Sequence, residues 1–293
     1  MKSDFRSAEV ELRPAVPEDA EVCGRVFYEA FTRINKQHGF TPEVPTLEWA
    51  IGVLTAAFCH PNFHCEVAQL DRRVVGSACQ DERSPIVGIG PISVAPDMQN
   101  CGIGRRLTKF MIDRVTKRKL PGVRLLQSTF HNRSLSLYAK LGFDVREPLA
   151  VMAELPLKRR PSRECTVRPA KDGDLEAANE ICRRVHGYAR SLELREAIEE
   201  RLAFVVEREG RMTGYAAGFG YFGHAVAESN LDLKALLCIA EKVEGPGIVV
   251  PTRNADLFYW CLESGMRVVQ PMTLMTIGLY NEPTGAYLPS VTH

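Results

Sequence analysis

Ile92-Ser93-Val94-Ala95-Pro96-Asp97-Met98-Gln99-Asn100-Cys101-Gly102-Ile103-Gly104-Arg105-Arg106-Leu107 joins a strand to a helix through a turn that holds two glycines. The strand runs in from about residue 85 to residue 94. Pro91, preceded by Gly90, cannot donate a ladder bond, so a bulge or edge irregularity is expected there. The helix runs out over about residues 104–117, with Ile103, Leu107, Phe110, Met111 and Val115 as its apolar stripe. Such a junction offers free backbone N–H groups to an anion. Glycine lets the backbone approach a phosphate with no Cβ in the way. Arg105 and Arg106 stand at the positive end of the helix dipole, where cations cost about 0.3–1 kcal/mol. A bound diphosphate reverses that sign. Lys117, Arg118 and Lys119 at the other end complement the dipole.

The spacing, Gln99-x-x-Gly102-x-Gly104, is neither the G-x-x-x-x-G-K-[ST] phosphate loop nor the dinucleotide G-x-G-x-x-G. A second strand-like run, residues 123–130, is followed by His131-Asn132-Arg133-Ser134-Leu135-Ser136-Leu137-Tyr138-Ala139-Lys140-Leu141-Gly142-Phe143. The plain structural reading makes Asn132 an N-cap, Gly142 a helix terminator, and Leu135, Tyr138 and Leu141 core.

Taken together and in this order, the two segments resemble the coenzyme A signature, [R/Q]-x-x-G-x-[G/A], and the closing Asn–Tyr–Gly-Phe motif of the GNAT-type N-acyltransferase superfamily. The resemblance covers about residues 10–153 well and 165–280 weakly. It implies an α/β (α+β) fold, each unit a mixed, mostly antiparallel twisted sheet flanked by helices. It implies acyl-coenzyme A in a V-shaped opening between the fourth and fifth strands. Ile92, Ser93 and Val94 then line the pantetheine arm, and an N–H near Ser93 or Val94 polarises the thioester carbonyl. Backbone N–H groups of Gln99, Asn100, Cys101, Gly102, Ile103, Gly104, Arg105 and Arg106 hold the pyrophosphate. Asn132 contacts the coenzyme arm, and Tyr138 faces the sulfur.

The residue types suit that chemistry. Amine attack on a thioester develops an oxyanion that needs a fixed donor. The leaving thiolate needs a proton, and a tyrosine, with a pKa of about 10, still carries one at neutral pH. Cys101 reads as a small filler rather than a nucleophile. A general base is harder to find, because the fourth strand carries no Asp, Glu or His. Asp81, Glu82 and His131 lie near its ends and each also reads as a surface or capping residue. The segment 31–58 is expected to cover the acceptor side.

The chain also repeats itself. Arg13-Pro14-Ala15 with Asp19 matches Arg168-Pro169-Ala170 with Asp174. Helical stripes follow: Val22, Val26, Phe27 and Ala30, then Ala177, Ile181, Val185 and Tyr188. Hairpins come next, 63–68 with 74–79 around Asp71-Arg72, and 204–206 with 212–217 around Glu209-Gly210. Asn132 with Gly142 corresponds to Asn254 with Gly265. This suggests a tandem of two units, residues 1–157 with the acyl-coenzyme A site and 165–293 as a degenerate copy, joined by a basic, Pro-containing linker at 158–164. In the second copy Glu228 and Asp232 stand where a pyrophosphate needs N–H groups, and the Tyr position falls on Trp260 or Cys261.

Composition sets the remaining limits. The 293 residues carry 37 Lys+Arg against 36 Asp+Glu, a net charge of +1. That argues against a dedicated nucleic-acid or anionic-membrane partner. No apolar run approaches the roughly 18–20 residues of a membrane span, and Met1-Lys2-Ser3-Asp4-Phe5 lacks a signal-peptide core. Nine scattered cysteines suggest a reducing, cytoplasmic setting. Cys59-His60-Pro61-Asn62-Phe63-His64-Cys65 groups four candidate metal ligands, but neighbours on a strand point to opposite faces, so no metal is expected. The leading expectation is an enzyme moving an acetyl or short acyl group from acetyl-coenzyme A to a small-molecule or peptide amine, as a monomer or homodimer. The rival is an acyl-coenzyme A sensor or scaffold without chemistry.

Overall fold

Two short turns of left-handed backbone set the hairpins. Asp71 and Arg72, at φ 46° and 67°, join β2 (Phe63–Leu70) to β3 (Arg73–Asp81). Glu209 and Gly210, at φ 54° and 74°, join β8 (Phe204–Arg208) to β9 (Arg211–Ala216). Positive φ at both central residues matches the right-handed twist of the strands they connect. These elements belong to a computed structural model that describes residues 10–154, 157, 159–241, 243 and 245–292. Met1–Phe5, Pro156 and Lys158, which the sequence reading used, lie outside the described residues.

The first half runs β1 (Glu11–Pro14), α1 (Ala20–His38), α2 (Leu47–Cys59), β2, β3, β4 (Ile86–Val94), α3 (Ile103–Lys117), β5 (Gly122–Ser128), α4 (Asn132–Lys140) and β6 (Asp144–Ala153). The second half runs β7 (Thr166–Pro169), α5 (Leu175–His186), α6 (Ser191–Glu199), β8, β9, β10 (Ala225–Ala227), α7 (Asn230–Leu237), β11 (Ile248–Pro251), α8 (Ala255–Glu263), β12 (Arg267–Gly278) and β13 (Ala286–Leu288). The order of elements is shared as far as β6 and β12, after which the second half adds β13. The opening ion pair is shared too, which explains the Arg-Pro-Ala triplets. Arg13 donates to both carboxylate oxygens of Asp19 at 2.7 and 2.8 Å, and Arg168 to those of Asp174 at the same distances. Each guanidinium holds its partner's carboxyl below the ordinary range.

The strands form two sheets flanked by helices, one mixed and mostly antiparallel, with β4–β5 as its parallel pair, and one antiparallel throughout. One has the order β1-β2-β3-β4-β5-β12-β6-β11 and the other β13-β10-β9-β8-β7. The sheet pairing crosses the expected linker. Strand β12 lies between β5 and β6, antiparallel to both, and β11 pairs with the far side of β6. Each half therefore completes its neighbour's hydrogen-bond ladder.

Alternation along β2 feeds two cores. Cys65 and Val67 pack with Cys23, Phe27 and Leu54 of α1 and α2. Ala68 packs with Val75, Val87, Leu107 and Met111, under α3. Three stripe assignments are corrected. Phe110 on α3 is exposed, while Ile103, Leu107, Met111 and Val115 are buried. Val22 is exposed while Cys23 is buried, and Ala177 is exposed while Ala178 is buried. In these last two stripes only the first residue is displaced; Val26, Phe27 and Ala30, and Ile181, Val185 and Tyr188, are buried as expected. Among the described residues no helix is long and apolar enough to cross a membrane.

Candidate active site

Strands β4 and β5 run parallel and pair only from Ile86 to Gly88 against Gly122 to Arg124. Beyond that point they part. On the other side of β4 the β3 register shifts across Gly90–Pro91, the bulge expected from the sequence. The backbone from Ile89 to Val94 has no partner strand on its β5 side. A cavity of about 350 Å³ fills the opening. Its walls are Ile92, Ser93 and Val94 on β4, Leu126, Gln127 and Ser128 on β5, and Leu137 and Tyr138 on α4.

At the end of the cavity the chain turns through Asn100 and Gly102, at φ 68° and 81°, into α3. The helix ladder opens with the Arg106 N–H donating to the Gly102 carbonyl at 3.1 Å. The N–H groups of Ile103, Gly104 and Arg105 precede it and have no carbonyl inside the helix. Gln99, Asn100, Gly102, Ile103, Gly104 and Arg105 all line the cavity. Arg105 and, on α1, Arg33 have no ion-pair partner among the described residues. Arg33 and Arg133 line a smaller cavity of about 150 Å³ on the outer side of Gln99 and Asn100. Arg133 also donates to the side chains of Asn100 and Gln99, at 3.2 and 3.4 Å. Free N–H groups, a helix dipole and unpaired guanidinium groups are the donor set a diphosphate needs.

Three of the expected site residues are not among the cavity walls. Cys101 and Arg106 do not line the cavity; Cys101 packs against the α3 core. Asn132 is exposed and is the first residue of α4 rather than its N-cap. His131 takes the N-cap position because the chain has already turned at Thr129–His131, with His131 N–H on the Ser128 carbonyl. The neighbours Arg133 and Ser134 face the cavity instead.

Gly104 shows how tightly the site is built. A Cβ there meets Val94 Cγ2 at 3.7 Å and Leu137 Cδ2 at 3.8 Å, ordinary contacts that leave the fold unstrained. Gly104→Ala is therefore expected to keep or slightly raise thermal stability, since alanine favours a helix by up to about 1 kcal/mol. The motif that the sequence resembles accepts alanine at this position, so on the acyl-coenzyme A reading of the opening the affinity for acetyl-coenzyme A should stay within about threefold, or about 0.7 kcal/mol. Titration calorimetry beside a thermal melt checks both; a tenfold loss would place the ligand directly against Gly104.

Tyr138 lines this cavity and a second, smaller one beside it. Its hydroxyl has no hydrogen-bond partner among the described residues. Burial pushes its pKa up to about 12, so it stays protonated at neutral pH.

The sequence candidates for a base are otherwise engaged. Asp81 is buried in an ion pair with Arg83, at 2.6 Å, and Glu82 pairs with Arg114, at 2.7 Å, and with Arg118. His131 lines the larger cavity, but burial, with Arg133 and His38 nearby, pushes it down to about 4. The carboxylate that does face both cavities is Glu43, which the sequence reading missed. Burial raises its pKa, opposed by hydrogen bonds from Gln270, Tyr221 and Ser128. No local motif marks it. It lies between Pro42 and Pro45 in the connection from α1 to α2, and its partners come from remote parts of the chain.

In the second half the corresponding helix start is filled by protein. Ser229 caps α7, and the Asp232 carboxylate accepts from Arg208, Thr213 and Ser229 at 3.0, 2.8 and 2.5 Å. Glu228 pairs with Arg184 and Arg211. A cavity of about 380 Å³ opens beside them, lined by Glu147, Glu228 and Glu282 against Arg253, which already pairs with Glu147 and Glu282. On α8, Trp260 lies under Arg159, and burial pushes the Cys261 thiol up to about 12.

The four candidate metal ligands do not converge. His60 bonds Glu196 at 3.1 Å, His64 bonds Glu66 at 3.0 Å, Cys59 is exposed, and Cys65 is buried beside Cys79. Among the described residues no cluster of three or more His, Cys, Asp or Glu is placed to hold a metal ion.

Two solved structures resemble the chain over nearly its whole length. One is a protein from Pyrococcus horikoshii assigned as an acetyltransferase, 18% identical, with a TM-score of 0.73 and coverage of 98% of this chain and 97% of that one. The other is a GCN5-related N-acetyltransferase from Sphaerobacter thermophilus, 15% identical, with a TM-score of 0.63 and coverage of 95% and 98%. At such identities the likeness shows the fold. No curated protein gave a significant match. Residues 61–145, from the start of the β2–β3 hairpin into β6, match the family model described as the acetyltransferase (GNAT) domain.

Proposed function

We propose that the chain is an N-acyltransferase that moves an acetyl or short acyl group from acyl-coenzyme A to a primary amine, with the site in its first half. One arrangement carries this reading: the open β4 edge leads to the free N-terminus of α3 and faces Tyr138 across the gap. The open edge, from Ile92 to Val94, suits the amide groups of a pantetheine arm. The backbone at Gln99–Arg105, with Arg105 itself, suits the pyrophosphate. Bound there, the thioester supplies an activated acyl carbon. Fixed backbone donors on β4 stabilise the oxyanion, and Tyr138 protonates the departing sulfur.

The tandem reading is part of the proposal. Residues 1–157 and 165–293 form two copies of one unit, connected through 158–164 and interlocked by β6 and β12. The second copy keeps the fold and lacks the coenzyme site, because the Asp232 carboxylate occupies the start of α7. Calorimetric titration of acetyl-coenzyme A into the full chain tests both points. One site per chain is expected. Two sites contradict the reading of the second copy, and no binding removes the proposal.

A further inference from the structure

We propose that the smaller cavity beside Tyr138 is the acceptor pocket, that it takes a compact apolar monoamine, and that Glu43 removes the amine's proton. This rests on the acyl-transfer reading above. The cavity measures about 90 Å³, with Phe27, Phe31, Trp49, Val53, Phe222 and Val291 among its walls. The Trp49 ring lies 6.5 Å from Phe27 and 5.8 Å from Phe222. Aromatic faces attract an ammonium group, and apolar walls suit an alkyl chain. A cavity of about 150 Å³ holds benzene, so this one suits an alkyl group of about four carbons. Glu43 is the one charged side chain among its lining residues. A second ammonium or a carboxylate on the acceptor finds no partner there, and burying an unpaired charge is costly. That excludes polyamines, aminoglycosides and free amino acids from the pocket.

Glu43 is held for the task from the second half of the chain. Its Oε2 accepts from the Gln270 amide at 2.6 Å and the Tyr221 hydroxyl at 3.1 Å. Its Oε1 receives only a long contact, 3.4 Å, from Ser128. That oxygen keeps accepting capacity for a substrate N–H. An alkylammonium must lose a proton before its nitrogen can attack. Glu43 takes this proton and releases it to solvent. The freed lone pair forms the carbon–nitrogen bond as the carbon–sulfur bond breaks. Sulfur keeps the bonding electrons and receives a proton from Tyr138. The nitrogen sheds a second proton, which restores Tyr138. Tyr221 and Gln270 are positioning residues for Glu43.

The test uses the full chain with saturating acetyl-coenzyme A and isobutylamine, spermidine or glycine as acceptor. Isobutylamine is expected to give a kcat/KM at least about tenfold above the others, the discrimination a hydrophobic pocket supplies. Glu43→Gln, a near-isosteric change, should lower kcat/KM for isobutylamine by about 10²–10³-fold at pH 7, the usual range for a lost base. Its acetyl-coenzyme A affinity should be unchanged, which also certifies the fold. Its residual rate should climb about tenfold per pH unit, following the free-amine fraction. Tyr221→Phe should cost about three- to tenfold in the parent and nothing further in the Glu43→Gln background, the coupling expected of a positioning residue. A Glu43→Gln rate within threefold of the parent overturns the role of Glu43. Equal use of spermidine or glycine overturns the pocket, as does acetyl-coenzyme A binding without acetylation of isobutylamine. Failure to bind acetyl-coenzyme A instead removes the acyl-transfer reading itself.

Discussion

Tyr138→Phe is expected to lower kcat by about 10²–10³-fold while acetyl-coenzyme A affinity stays within about twofold. The substitution removes one oxygen from a side chain whose ring packs edge-on against Phe143, at 5.9 Å between centroids. No hydrogen bond to the described residues is lost, so stability should hardly change. The hydroxyl lines the cavity in a buried setting that pushes its pKa up to about 12. A phenol in that state carries a proton at every pH at which the protein is handled. It therefore holds a proton that it can give to the departing sulfur, and it is not present as the phenolate that would be needed to take one from an ammonium. The loss should therefore appear in kcat with little change in the KM for either substrate, the signature of a group that acts at the transition state. It should also shrink for acyl donors whose thiol leaves readily without protonation. Steady-state kinetics with acetyl-coenzyme A and an activated aryl thioester makes the comparison. Retained turnover on the natural donor would assign sulfur protonation to solvent.

The residues that build the proposed coenzyme end of the site are close in sequence, and that is why they could be read. A strand ending at Val94, two glycines at 102 and 104 and a helix starting beside them lie within one supersecondary unit. Their chemistry follows from backbone geometry that local sequence dictates. The Arg13–Asp19 and Arg168–Asp174 pairs are legible for the same reason, each closing over six residues. Glu43 has no such neighbourhood. What makes it special is burial against Tyr221 and Gln270, which are 178 and 227 residues away. The exchange of β6 and β12 was equally hidden. Their continuous buried runs, residues 149–152 and 272–276, mark strands inside a sheet and do not name the partner. Asn132 misled because asparagine caps helices often enough to suggest the role, while the turn at Thr129–His131 fixed the helix start by backbone bonds alone.

The interlocked sheet leads to a second large effect. Residues 1–157 alone are expected not to fold as a cooperative unit, although they hold every residue of the proposed coenzyme site. In the full chain β12 pairs with β5 from Met272 to Gly278 and with β6 from Arg267 to Thr276. Its removal leaves both strands with bare edges, which invite pairing with other chains. It also takes Met272, Leu274 and Met275, each at most 2% exposed, out of the core. At about 1.5–3 kcal/mol per buried side chain that is about 5–9 kcal/mol, as much as the whole stability of many domains. Losing β11 then uncovers the far edge of β6. Size-exclusion chromatography and urea unfolding of the 1–157 fragment should show aggregation or a broad, non-cooperative transition, against a sharp one for the full chain. A monomeric fragment that unfolds cooperatively and binds acetyl-coenzyme A would make the two halves independent. The expected dependence gives the second half a structural role that needs no coenzyme site of its own. It supplies the strand that closes the first sheet, and the Tyr221 and Gln270 that hold Glu43 in the cavity.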